Sequence, residues 1–242
     1  MENIIEIKGL KKSYGDNVVL KNINLTVAKG ENVVVLGKSG EGKSVAIKCI
    51  VGMVIPDEGE LTVLGKNINE INKDELKELR TRIGFLFQSV ALYDSMTVRE
   101  NLMFPLTRVL KLKDKKQIDT LCEEVLESVG LTDAIDKMPS ELSGVMRKRM
   151  ALARTLIVKP EIILYDEPTT GLDTITSKEI SHLIMDMQKK YQTTSIIITH
   201  DIPCAKITAD RILIINDGLF IAEGTYEELS NSDDPFINSF FK

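Results

Sequence analysis

The run Gly37-Lys38-Ser39-Gly40-Glu41-Gly42-Lys43-Ser44 has the residue types that bind polyphosphate. It fits the full G-x-x-x-x-G-K-[ST] pattern. The glycines let the backbone fold so that N–H groups converge on phosphate oxygens. A helix opening at that point adds its positive end. Lys43 then reaches the β- and γ-phosphates of ATP, and Ser44 ligates Mg²⁺. The bland alternative is a glycine-rich turn with an incidental Lys-Ser. The apolar run Asn32–Leu36 before the loop and the helical pattern over residues 44–53 after it weigh against that alternative.

A second signal is Ile162-Ile163-Leu164-Tyr165-Asp166-Glu167, an apolar run ending in two carboxylates. Ligands of open α/β sheets bind beyond the carboxyl ends of the strands. Asp166 is suited to hold Mg²⁺, and Glu167 to polarise the attacking water. Many strands end in a capping acid, so this signal draws its weight from the phosphate loop. Gln88 follows the run 83–87, and His200 follows the run 195–199. A lone glutamine is usually a loop residue, and a lone histidine is more often structural. In one parallel sheet, however, the loop, Gln88, Asp166 and His200 would open at the same edge. Four separate accidents are less economical than one site. His182 lies beside the apolar face of a helix and reads as structural or surface.

A third feature is Leu142-Ser143-Gly144-Val145-Met146-Arg147-Lys148-Arg149. Ser143 reads as the N-cap of a helix that ends before Pro160. Its first turn is basic, which opposes the helix dipole. An anion bound near that end would offset the conflict.

These residues need a scaffold. The runs 32–36, 83–87, 162–165 and 195–198 are short and rich in β-branched or aromatic residues. Such runs read as strands buried on both faces. Helical patterns lie between them, including 174–190 with Ile180, Leu183, Ile184 and Met187 on one face. The alternation indicates an α/β fold. The first thirty residues differ. Apolar pieces at 4–7, 18–20 and 24–27, divided by Gly15-Asp16-Asn17, predict a small antiparallel β layer that segment 59–63 joins. Residues 95–157 show helical periodicity and no strand. The charged stretch 111–116 reads as a solvated linker.

The 242 residues carry a net charge of -5, with 31 basic against 36 acidic side chains. A nucleic-acid binder usually has a basic excess or stripe, so nucleic acid is disfavoured as a partner. Cys49, Cys122 and Cys204 form no CxxC pair and read as incidental thiols of a reducing compartment. The N-terminus has no signal-peptide pattern. No apolar run approaches the roughly 20 residues of a membrane span. A cytoplasmic protein is expected, reaching a membrane only through partners.

In this order, the motifs resemble the nucleotide-binding subunit of ATP-binding cassette (ABC) transporters, over nearly the whole chain. Ser143-Gly144 matches the start of the LSGGQ signature. The block 166–173, from Asp166-Glu167 to Leu172-Asp173, matches the Walker B and D-loop. Gln88 falls at the Q-loop, His200 at the switch histidine, and Tyr14 at the aromatic position that stacks on adenine. The resemblance implies one P-loop NTPase domain over 1–242. Its core, with a mostly parallel sheet and the antiparallel layer, spans 1–88 and 158–242. An inserted helical subdomain spans about 89–157. It further implies a head-to-tail dimer in which Ser143 and Gly144 of one copy meet the γ-phosphate held by the other. Closure on ATP would drive transmembrane permease subunits at the inner face of the plasma membrane, through a contact near residues 88–105.

The wording Ser143-Gly144-Val145-Met146-Arg147-Lys148-Arg149 is similar to that of the Mla-type (Mce-associated) lipid-transport ATPases, as is the segment 169–177. This similarity implies phospholipid or a related hydrophobic substrate and an Mce-type substrate-binding component. The alternatives are an importer or exporter ATPase for another solute, a soluble assembly-scaffold ATPase, or a nucleotide-gated module without turnover. Glu167 and His200 argue against the last.

Two positions depart from the family pattern. Val145 replaces the second signature glycine, and Met146 the glutamine. The Val145 N–H survives as a donor, but a β-branched side chain restricts φ and crowds a closed interface. Val145→Gly is therefore expected to raise or preserve steady-state ATPase activity; collapse of phosphate release in that variant would contradict the crowding argument.

Overall fold

A strand that is apolar at every position sends alternate side chains to opposite sides, so both of its faces need cover. The computed structural model, which describes residues 2–241, meets that need with two different layers. The chain opens with a hairpin of β1 (Asn3–Tyr14) and β2 (Asn17–Ala28). β3 (Asn32–Leu36) leads through the phosphate loop into α1 (Lys43–Ile50). Then come β4 (Glu58–Val63), β5 (Lys66–Asn67), α2 (Lys73–Thr81) and β6 (Ile83–Leu86). Three helices follow: α3 (Val98–Arg108), α4 (Lys115–Ser128) and α5 (Gly144–Leu156). The chain returns as β7 (Ile162–Asp166), α6 (Thr174–Tyr191), β8 (Thr194–Thr199), α7 (Ile202–Thr208), β9 (Arg211–Asn216) and β10 (Leu219–Gly224). The short helices α8 (Tyr226–Ser230) and α9 (Pro235–Asn238) end the described chain.

The strands form two sheets, ordered β2-β1-β4-β5 and β10-β9-β3-β8-β7-β6. The first is antiparallel. In the second, β9, β3, β8, β7 and β6 run parallel, and β10 closes one edge antiparallel. Val34, Leu36, Ile163, Tyr165, Ile197 and Ile214 face a core shared with the helices α3 to α7. Val33, Val35, Leu164, Ile198, Leu213 and Ile215 face a second core shared with the hairpin sheet and α1. The α/β class read from the sequence therefore holds, as does the N-terminal antiparallel layer.

Several boundaries differ from expectation. The three N-terminal apolar pieces are two long strands, because register shifts break their alternation. Phe87 lies beyond β6, and β7 extends to include Asp166. α1 stops at Ile50, short of residue 53, where Val51 caps it. The stretch 111–116 is only partly linker. Lys115 and Lys116 open α4, and the Asp114 carboxylate accepts from the N–H groups of Lys116 and Gln117. α2, β9, β10 and the C-terminal helices were not anticipated from the sequence. The three cysteines are buried and free, and burial pushes each thiol up to about 11.

β9 lies inside the sheet between β10 and β3, and Leu213 on it is 1% exposed. Leu213→Ala removes buried methyl groups between two layers that cannot collapse freely. It is expected to cost about 2–5 kcal/mol. Urea unfolding with an unchanged m-value checks this; a loss below ~1 kcal/mol would mean that the site repacks.

Candidate active site

Parallel pairing sets the ends of β3, β6, β7 and β8 along one edge. The loop after β3 passes beneath β9. A Cβ on Gly37 would lie 2.6 Å from Ile215 Cγ2 and 2.7 Å from the Ile215 carbonyl oxygen, so only glycine allows that approach. Gly42, with φ +92, turns the chain into α1. A Cβ there would meet the Val19 carbonyl oxygen at 2.8 Å. Both glycines answer to the loop's close packing against neighbouring strands.

Lys43 is 6% exposed and lies within the loop. Its Nζ donates to the carbonyls of Gly37 at 2.6 Å and Lys38 at 2.8 Å. It also stands 3.8 Å from Glu167 Oε1. Burial lowers its pKa, and the carboxylates of Glu167, Asp166 and Glu41 oppose that shift. The Ser44 hydroxyl donates to Asp166 Oδ1 at 2.9 Å, which brings a hydroxyl and a buried carboxylate together beside the α1 N-terminus.

Glu167 follows Asp166 with φ +51, a left-handed conformation that a non-glycine residue rarely adopts. Its N–H donates to the Ile198 carbonyl at 2.9 Å, which ties the turn to β8. Its Oε2 lies 2.8 Å from His200 Nδ1 and accepts from the Thr170 hydroxyl at 3.2 Å. A second tie runs between the same two loops. The Thr169 hydroxyl donates to Asp201 Oδ2 at 2.8 Å, and Asp201 caps α7. The acid and the histidine are thus fixed relative to each other through two strand ends.

These groups surround a half-open cleft of about 630 Å³. Lys38, Ser39, Gly40, Gly42, Lys43 and Ser44 form one wall. Gln88, Glu167 and His200 face them, and Val19 of the hairpin completes the rim. The other candidates lie outside the lining. Gly37 borders a smaller hollow with Lys38, His200, Ser239 and Phe240, so the C-terminal segment lines the space behind the loop. The Glu41 carboxylate turns away and accepts from the Asp217 N–H. Asp166 sits behind Ser44. Tyr14 is 52% exposed at the hairpin tip, beneath the Lys12 ammonium. Ser143 caps α5 through the Met146 N–H at 3.2 Å, and Asp173 caps α6. Ser143, Gly144 and Asp173 are exposed, and His182 is an exposed residue of α6.

The basic start of α5 also finds partners within the chain. Arg147 donates to the Leu142 carbonyl at 3.1 Å, Lys148 to that of Gln88 at 3.0 Å, and Arg149 to that of Val129 at 3.2 Å. Three consecutive cations each satisfy a backbone carbonyl from outside the helix.

The family model for the ABC transporter matches residues 20–170. The phospholipid-transport ATP-binding protein MlaF of Haemophilus influenzae is 40% identical over 241 residues, spanning all of this chain and 91% of that protein. The probable ribonucleotide transport ATP-binding protein mkl of Mycobacterium leprae is 39% identical over 98% of this chain, which spans about two thirds (68%) of its length. The methionine import ATP-binding protein MetN of Clostridium tetani is 38% identical over 93% of this chain and 70% of its own length. Among solved structures, the dimeric post-hydrolysis state of the ATP-binding cassette MJ0796 with ADP and Pi superimposes with a TM-score of 0.82 at 33% identity. That match covers 91% of this chain and 98% of the other. A phosphate loop facing an acid–histidine pair across one cleft, in a fold shared with an ATP-hydrolysing cassette, makes this chain a member of the ABC transporter family, an ATP-binding subunit with ATPase activity.

Proposed function

We propose that this ATPase powers movement of phospholipid or a related hydrophobic molecule, as one of two copies joined head to tail beneath permease subunits. The observation that carries this reading is the end-to-end match to a protein named for intermembrane phospholipid transport. The signature wording from Ser143 to Arg149 supports it. The methionine-import relatives favour a second reading, an importer ATPase for a small solute. No helix of the described residues is long and apolar enough to cross a membrane, so attachment to one falls to the permease and to an Mce-type component. The chain acts as one domain over 1–242. Residues 1–88 and 158–242 bind nucleotide, and about 89–157 form the helical part that meets the permease and the second copy.

The donor set fits a magnesium ion that arrives with the nucleotide. Mg²⁺ takes hard oxygen ligands, commonly one or two carboxylates with substrate phosphates. The Ser44 hydroxyl and Asp166 carboxylate meet that description, and their mutual hydrogen bond is the one the ion would replace. Gln88 adds an amide oxygen from the opposite wall. The ion would neutralise phosphate charge.

The remaining work falls to the chain. Lys43 exchanges the Gly37 and Lys38 carbonyls for β- and γ-phosphate oxygens, and backbone N–H groups of 38–44 surround the phosphates. Tyr14 stacks on the base from the hairpin. Glu167, buried and anchored by Thr170, orients and polarises the attacking water. His200 holds the Glu167 carboxylate and reaches the γ-phosphate from its exposed ring. Ser143 and Gly144 of the second copy close the cleft, with Asp173 at the same junction. Phosphoryl transfer depends mainly on such positioning and charge neutralisation.

Glu167→Gln keeps shape and neighbours but removes the carboxylate. ATP turnover is expected to fall by at least about 10²-fold, the scale of a lost general base, while ATP binding persists and a closed dimer accumulates. Undiminished phosphate release would refute the role of Glu167. For the substrate, the chain is expected to extract in detergent with a multi-spanning membrane protein and, reconstituted with it, to give ATP-dependent transfer of fluorescent phospholipid between vesicles. Transfer of a small solute without phospholipid would assign the importer reading, and a stable complex with soluble partners alone would defeat both.

A further inference from the structure

Lys148 differs from the two arginines that flank it. It lies one turn into α5, is 7% exposed, and sends its Nζ into the protein toward the cleft. It donates to the carbonyl oxygen of Gln88, at 3.0 Å. Burying an ammonium is costly unless hydrogen bonds compensate, and an aliphatic side chain would fill the same space without that cost. The neighbouring buried positions of α5, Met150 to Ala153, are apolar. Packing alone does not call for a cation here. Burial lowers the Lys148 pKa and the Glu167 carboxylate opposes that shift, so the ammonium also feels the acid of the cleft.

The acceptor is equally specific. Gln88 lies just past the end of β6, where ladder hydrogen bonds have stopped. The next residues turn sharply, with Val90 at φ +69 and Ala91 at φ +48. The Gln88 side chain is exposed to the cleft while its carbonyl points back to α5. A charged donor on a partly buried backbone carbonyl is among the stronger hydrogen bonds.

We propose that Lys148 is a positioning residue for ATP hydrolysis, which fixes Gln88 at the cleft by holding its backbone carbonyl to the helix that begins at Ser143. The proposal rests on the role given above to Gln88. α5 is a 13-residue helix with Ser143 at its tip. A helix moves as a rod, so displacement of the Ser143 end is carried to Gln88 through this bond. One copy's Gln88 thereby responds when that copy's signature end meets the other copy's nucleotide.

The test compares the wild type with Lys148→Met, Lys148→Arg, Gln88→Ala and the Lys148→Met/Gln88→Ala double variant, in the full chain with MgATP. Steady-state kcat and KM, ATP binding and thermal midpoint are measured for each. Lys148→Met is expected to lower kcat on the order of tenfold, with KM and ATP affinity within about threefold, the pattern of an interaction that matters in the transition state. Lys148→Arg, which keeps a charged donor, is expected to recover most of the loss. In the Gln88→Ala background, Lys148→Met is expected to add little, because the two act as a unit. A wild-type kcat for Lys148→Met, or losses that multiply in the double variant, overturns the proposal. Should Lys148→Met not fold, Lys148→Gln takes its place with the same criteria. A wild-type kcat for Gln88→Ala would instead remove the role of Gln88 on which the proposal rests, whereas a slow Gln88→Ala beside a normal Lys148→Met defeats the Lys148 assignment alone.

Discussion

Parallel strand pairing is the constraint on which the rest of this structure depends. Parallel strands end together, so any residue one step past a strand joins a common edge. β3 pairs with β8, β8 with β7, and β7 with β6. That succession delivers the phosphate loop, His200, Glu167 and Gln88 to one cleft, although 163 sequence positions separate Gly37 from His200. The same pairing requires cover on both faces. The hairpin sheet supplies one cover and, with Val19, one rim of the cleft. The helices supply the other and carry Ser143 and Lys148.

Charge balance inside the cleft follows from that convergence. Asp166, Glu167 and Lys43 are all nearly buried within a few ångströms of one another. Two adjacent acids would repel at close quarters without compensation. Ser44 donates to one and His200 faces the other, with Lys43 between loop and acid. Each acid therefore has a partner in the structure as it stands, and each partner belongs to a different loop. The left-handed backbone at Glu167 fits this picture. Its N–H bond to Ile198 and the Thr169–Asp201 tie hold a conformation of a kind that costs about 1–3 kcal/mol.

Features whose periodicity and chemistry coincide were legible in the sequence. Asn32–Leu36 reads as a strand because a short run rich in β-branched residues precedes a phosphate pattern, and Ser143 reads as a cap because a helical period follows it. What spacing cannot supply is a partner distant in the chain. The basic start of α5 looks like a conflict with the helix dipole until Gln88, 60 positions away, is seen to be the acceptor for Lys148. Register shifts hid the length of the hairpin strands, since a bulge resets the two-residue alternation. Arg211–Asn216 is as apolar as the strands that were read, but it ends in Asn216-Asp217-Gly218, a turn with no ligand chemistry to draw attention to it. Which residues line the cleft, and which stand apart, such as Tyr14, Ser143 and Asp173, depends on the three-dimensional path of loops that no period describes.

Lys43 has a consequence for how this cradle recognises its ligand. Its ammonium already binds two carbonyls of the loop that it serves, Gly37 and Lys38. The loop's shape is therefore maintained in part by an internal cation. A loop tied in this way would leave little ordering entropy to lose on association, a case of preorganisation. On the role proposed for Lys43, the enthalpy of its phosphate contact would be a difference between two sets of oxygens. A truncated Lys43 would lose both the proposed ligand contact and the tie that shapes the loop, and its weakened affinity would measure their sum.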